Sequence, residues 1–108
     1  MEIVMIQVYQ IVLTAAEIVM INAGDTSPRI RAYYDREYHF NPEDFQHYEH
    51  VADVATNDME EAFALMNLWN DRSRVDCISR CHSMSVGDIL VTGDGERYRC
   101  ASFGFEPF

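Results

Sequence analysis

The chain has 108 residues, 48% of them hydrophobic and 12% aromatic, enough apolar material for one buried core and too much for a disordered tail. Its 18 Asp and Glu face 8 basic residues, all of them Arg, for a formal net charge of −10. Such a surface repels phosphate backbones and anionic headgroups, which works against direct nucleic-acid or membrane binding and favours cationic partners.

Residues 1–20 begin apolar, but Glu2 and the lack of a basic flank do not fit an export signal, and the stretch divides into two elements instead. Residues 5–13 are β-branched and aromatic and sort Ile6 and Val8 from Tyr9, Ile11 and Leu13 at period two, which predicts a strand. Thr14-Ala15-Ala16-Glu17 is a capping box, so a helix over 15–23 follows, with Ile18, Met20 and Ile21 expected inward and Gly24 at its C′ position. Asp25 to Pro28 reads as a turn. Arg29 to Tyr34 then alternates, with Ile30, Ala32 and Tyr34 on one side, and predicts a second strand. Pro42-Glu43-Asp44-Phe45 after Asn41 suits a first helical turn, while Tyr48 to Val54 fits either a strand or continued helix.

The clearest element is 57–69, where Met59, Ala62, Phe63, Met66 and Trp69 recur at spacings of three and four behind a capped, acidic first turn. After an Arg-rich connector, Ser83 to Val86 turns into a strand over 88–92. Gly93-Asp94-Gly95-Glu96 reverses the chain, and Arg97 to Cys100 returns as a hairpin, with Tyr98 and Cys100 on one face and Arg97 and Arg99 on the other. No linker or repeat interrupts 1–108, so one domain is expected. The fold class these elements predict is α+β: a mostly antiparallel sheet of about four strands, with the two main helices packed on one face.

The run Ser83-Met84-Ser85-Val86-Gly87-Asp88-Ile89-Leu90-Val91, followed by Arg97 to Phe105, resembles the C-terminal signature of YodL-like domains, small proteins of phages, plasmids and integrative elements. Asn67-Leu68-Trp69 ahead of it fits the resemblance loosely. The resemblance implies no catalytic or cofactor residue. It implies a mobile-element setting, in which short accessory proteins act by binding host machinery. In the residues themselves the signature reads as architecture: Gly87-Asp88 tightens the approach to a strand, and Phe103 and Phe105 are expected to close the core.

Between Glu37 and Asp71 lie nine carboxylates and no Arg or Lys. Glu37, Glu43, Asp44, Glu49, Asp53, Asp58, Glu60 and Glu61 are the candidate partner-binding residues. Spread over a helix and its flanking loops, they are expected to imitate the spacing of duplex phosphates and to suit a basic nucleic-acid channel on another protein. The plainer alternative is a solvated face around Phe45, Phe63 and Trp69.

Cys77, Cys81, His82 and Cys100 supply four soft donors, but three residues between the first pair and a His directly after Cys81 do not match zinc spacing, so neither metal nor cofactor is expected. Three cysteines cannot all pair within the chain, and reduced thiols are expected. His39, His47 and His50 lie near Glu43, Asp44, Glu49 and Asp53 as acid–base candidates. No metalloprotease, deaminase, phosphate-loop or nucleophile-elbow pattern accompanies them, so no enzyme is expected. If the strand at 29–34 lies beside 97–100, Arg29, Arg31, Arg97 and Arg99 form a small basic face.

The functional expectation is an accessory protein in a host cytoplasm, monomer or homodimer. It would bind a host protein with a basic surface, of the kind found in a CRISPR effector or restriction enzyme, and inhibit it. The alternative is a phage structural or assembly protein that self-associates through Trp69, Met66, Phe105 and Phe108.

Overall fold

The computed structural model describes residues 5–108; residues 1–4, which include Glu2, lie outside the described residues. Its strands are β1 (Ile6–Gln10), β2 (Glu49–Val54), β3 (Val75–Cys77), β4 (Ile89–Val91), β5 (Arg97–Cys100) and β6 (Phe105–Pro107). They form one sheet of order β3-β2-β1-β4-β5-β6, with every neighbouring pair antiparallel. The helices are α1 (Ala15–Asn22), α2 (Pro28–Asp35) and α3 (Met59–Leu68), with 3-10 turns at Pro42–His47 and Arg72–Arg74. The class is α+β, as the pattern predicts. Among the described residues six strands replace about four because β3 and β6 are three-residue edges, too short to show a period.

β1 sits at the centre, and its period-two pattern holds. Ile6 and Val8 join Ala52, Val54, Leu90 and Cys100 on one face, where Ala62, Leu65 and Met66 of α3 cover them. Tyr9 points to the other face, with Ile89, Val91, Phe40, Phe45, Tyr48 and Phe108, beside Ala32 of α2. The register of β1 against β2 shifts between Val8 and Tyr9. This bulge lets the consecutive residues Val51 and Ala52 both enter the α3-side core.

The two-faced cover corrects the expectation of helices on one face only. α1 forms where its capping box places it: Thr14 Oγ1 accepts from Glu17 N at 3.1 Å, and Glu17 Oε1 accepts from Thr14 N at 2.9 Å. At its other end Gly24 (φ +80) lets its own N–H reach Ile21 O at 3.0 Å and Asp25 N reach Met20 O at 2.8 Å. No residue of α1 is buried, however, and Ile18, expected inward, is 48% exposed.

Arg29 to Tyr34 is helix, not strand. Ser27 caps it by accepting from Ile30 N at 3.2 Å, and Pro28 occupies the first turn, a pairing that starts helices and outweighs a short alternation. Gly87 is fixed by this placement: with φ +94, a Cβ there would lie 2.5 Å from Arg36 Cγ and 2.6 Å from Arg36 O, just past α2.

Candidate functional site

The acidic segment does not present one field. Asp44 is 3% exposed and its Oδ1 pairs with Arg31 at 2.8 Å, so it belongs to the fold and not to a contact surface. Arg31 is held protonated above its ordinary range by Asp44 first and Asp35 second. Glu49 pairs with Arg29 at 3.1 Å, and Glu61 pairs with Arg74. A hydrogen bond with Thr56, followed by Arg74, lowers the Glu61 carboxyl. Asp53 Oδ1 lies 2.7 Å from His50 Nε2, and Asp58 caps α3 by accepting from Glu60 N at 2.9 Å.

Glu37, Glu43 and Glu60 remain exposed, and no ion pair reaches them among the described residues. They are not gathered: Glu43 stands on the turn beside Phe45 and Tyr48, whereas Glu60 stands on α3, which covers the opposite sheet face. A segment without cations was legible in the sequence. That Arg29, Arg31 and Arg74 return to it from outside was not, because the approach is made by the fold.

The other candidates resolve similarly. Cys77 and Cys81 form a disulfide, which replaces the expected reduced pair and engages two of the four soft donors, while Cys100 is buried with its thiol pushed up to about 11 by burial and then by Asp88. Among the described residues no three His, Cys, Asp or Glu side chains converge on a metal site. Of the histidines, His50 stacks on Tyr9 at 5.1 Å between ring centroids, and His39 is exposed. The four arginines of the supposed basic face do not assemble one, since Arg29 and Arg31 are helical and ion-paired, while Arg97 stacks on Phe45 and Phe108 and Arg99 pairs with Glu106.

The supposed apolar patch is absent too. Met66 is fully buried, and Phe105 and Phe108 pack into cores on opposite sheet faces.

The surface offers a different ensemble at the β5–β6 end. Gly104 (φ +73) closes the hairpin, with Ala101 N donating to Gly104 O at 3.0 Å, and leaves Phe103 94% exposed at the tip, contrary to its expected place in the core. Beside it a groove of about 460 Å³ is lined by Glu37, Tyr38, Phe40, Arg99 and Glu106, and Tyr38 is 79% exposed. Arg99 is engaged internally: its Nε donates to Arg36 O at 3.1 Å, its NH2 to Glu37 O, and its NH1 to Glu106 at 3.3 Å. The groove therefore shows a partner two exposed rings, the carboxylate of Glu37, which is in no ion pair among the described residues, and the exposed Glu106 carboxylate that Arg99 holds from one side. Aromatic faces and carboxylates both attract guanidinium and ammonium groups.

No helix among the described residues is long and apolar enough to cross a membrane. The chain matches no family model, no curated protein and no solved structure.

Proposed function

We propose that this chain is a non-enzymatic accessory protein of a phage or other mobile element that binds a basic host protein stoichiometrically in the host cytoplasm. A nucleic-acid-handling defence complex, whose channels are cationic by necessity, is the target class that this charge suits best. The observation that carries the reading is the exposure of Phe103 and Tyr38 beside Glu37 and Glu106, because contiguous exposed aromatics on a small domain mark interaction surfaces. The net charge of −10 steers the encounter, and the aromatic ledge fixes the register. On this reading the contact is made at the hairpin end and not along the whole acidic segment.

The test is affinity capture from a bacterial lysate at low and high salt, with Phe103→Ser and Glu37→Lys beside the unaltered chain. Both substitutions are at exposed positions, so both variants are expected to fold, and each is expected to lose the salt-sensitive partner. A partner retained equally by all three proteins overturns the reading. One observation favours the rival assembly role: α1 leaves Ile18 and Val19 exposed. A dimer in light scattering that Val19→Lys dissociates would establish it.

A further inference from the structure

A second site lies in a pocket of about 310 Å³ between the end of β1, α1, the C-terminal end of α2 and the connector over 80–88. Its floor is polar and buried, Gln10 being 2% and Asp88 4% exposed. Gln10 ties the connector to the sheet: its Nε2 donates to His82 O at 2.9 Å, and its Oε1 accepts from His82 N at 2.9 Å. The same Nε2 donates to Asp88 Oδ2 at 3.0 Å, and Ser85 N donates to that oxygen at 3.0 Å.

Both bonds fall on one carboxylate oxygen. Oδ1 has no hydrogen-bond donor among the described residues, and no Arg there comes within ion-pair distance of Asp88. A buried carboxylate with no ion-pair partner, on which Arg36 acts only from beyond contact distance, is costly, and an Asn would serve both observed bonds at less cost. Burial raises Asp88 to about 6, with the Ser85 amide, the Gln10 amide and the more distant Arg36 charge pulling the other way, so the group is ionised near neutrality. A charge kept at the floor of a cavity under these terms calls for a cation brought by a ligand.

The rim has the opposite sign. Its charge comes from Arg36 and Arg80; Arg36 is held by donating to Tyr33 O at 2.7 Å and lies 4.0 Å over the Tyr33 ring. Arg80 is exposed and enters no ion pair among the described residues. The walls between are apolar, from Ile11, Leu13 and Ile18. A simple cation would be repelled at the rim and a simple anion at the floor, which leaves a molecule carrying both charges. The volume lies at the small end of the roughly 300–1,000 Å³ range of ligand pockets, too little for a nucleotide cofactor.

We propose that this pocket binds a free α-amino acid with an apolar side chain, its ammonium on Asp88, its carboxylate toward Arg36 and Arg80, and its side chain against Ile11, Leu13 and Ile18. The site is separate from the hairpin ledge and stands whether or not that ledge docks a partner.

Calorimetric titration with L-leucine, leucinamide and 4-methylpentanoate tests it, the last two each lacking one of the charges. Leucine is expected to bind, and both analogues to bind at least about tenfold more weakly, since each leaves a charged group unmatched. Asp88→Asn keeps an oxygen for Gln10 and Ser85 and is expected to lose leucine affinity at least about tenfold, while Arg80→Ala loses less because it acts from the exposed rim. Should the Asn variant not fold, as judged by circular dichroism, the two analogues and Arg80→Ala decide the matter alone. Absence of leucine binding to the unaltered chain, an undiminished affinity in folded Asp88→Asn, or equal affinity for either analogue overturns the proposal.

Discussion

α1 and α2 are helices of equal length with capped first turns, and they invert what composition suggests. α1, Ala-Ala-Glu-Ile-Val-Met-Ile-Asn, is apolar and buries nothing; α2, Pro-Arg-Ile-Arg-Ala-Tyr-Tyr-Asp, is polar and buries Ile30 and Ala32. The difference teaches that capping chemistry decides where a helix begins, whereas the sheet decides which helix is covered. α2 is anchored at both ends. Arg29 reaches Glu17 at 3.2 Å and Glu49 at 3.1 Å, and Arg36 abuts Gly87. α1 has only its caps and the Glu17 pair, in which the Thr14 amide first, and Arg29 after it, holds the Glu17 carboxyl below the usual range.

The largest way to break the comparison is at α2. Ile30 is 2% exposed, so Ile30→Ala is expected to lower the unfolding free energy by about 3–4 kcal/mol, read from urea denaturation. A loss below about 1 kcal/mol would show α2 to be as peripheral as α1.

The next effect has the opposite sign and sits between the two helices, at the pocket floor. Asp88 is raised from 3.8 to about 6 in the fold, so the native state holds its proton more tightly than the unfolded chain does. Its contribution therefore becomes unfavourable as pH rises through that window and is complete above it. Asp88→Asn is expected to be more stable than the parent at pH 7.5, by about 2 kcal/mol once the new amide donors are accommodated, and indistinguishable near pH 4. Urea midpoints across that range check the crossover.

What the sequence disclosed follows the same division. The period of β1, the capping box at Thr14, the stripe of α3 and the 93–96 turn are local signals, and each element stands where they put it. α2 departs from the expected strand because Ile30, Ala32 and Tyr34 mimic a strand over too few residues, whereas Ser27-Pro28 starts a helix. The pairings of Arg31 with Asp44 and Arg74 with Glu61 join residues 13 apart, and Gln10 meets Asp88 across 78, so none of them has a local signature. One signal for that last pairing does lie in the sequence: Gln10 shares the buried parity of Ile6 and Val8, and a polar side chain on such a face demands a distant partner.

Smaller effects sharpen the α1 side. Thr14→Ala removes the hydroxyl that accepts from Glu17 N and is expected to cost about 1 kcal/mol, seen as a lower urea midpoint, with helix fraying confined to amides 15–18 in hydrogen exchange.

Ile18→Ser is the least disruptive and the most discriminating. Its side chain is half exposed and no residue of α1 is fully buried, so the change is expected to stay within about 0.5 kcal/mol of the parent in urea. The same residue walls the proposed amino-acid pocket, where a lost apolar contact weakens leucine binding without touching stability. A stability loss above about 1 kcal/mol would mean that α1 is held against the body of the protein after all, and the contrast between the two helices would then be one of degree. Unchanged stability with weakened binding would show that α1 serves the pocket through Ile18: a helix set by its caps, with no fully buried residue of its own, that walls what the pocket receives.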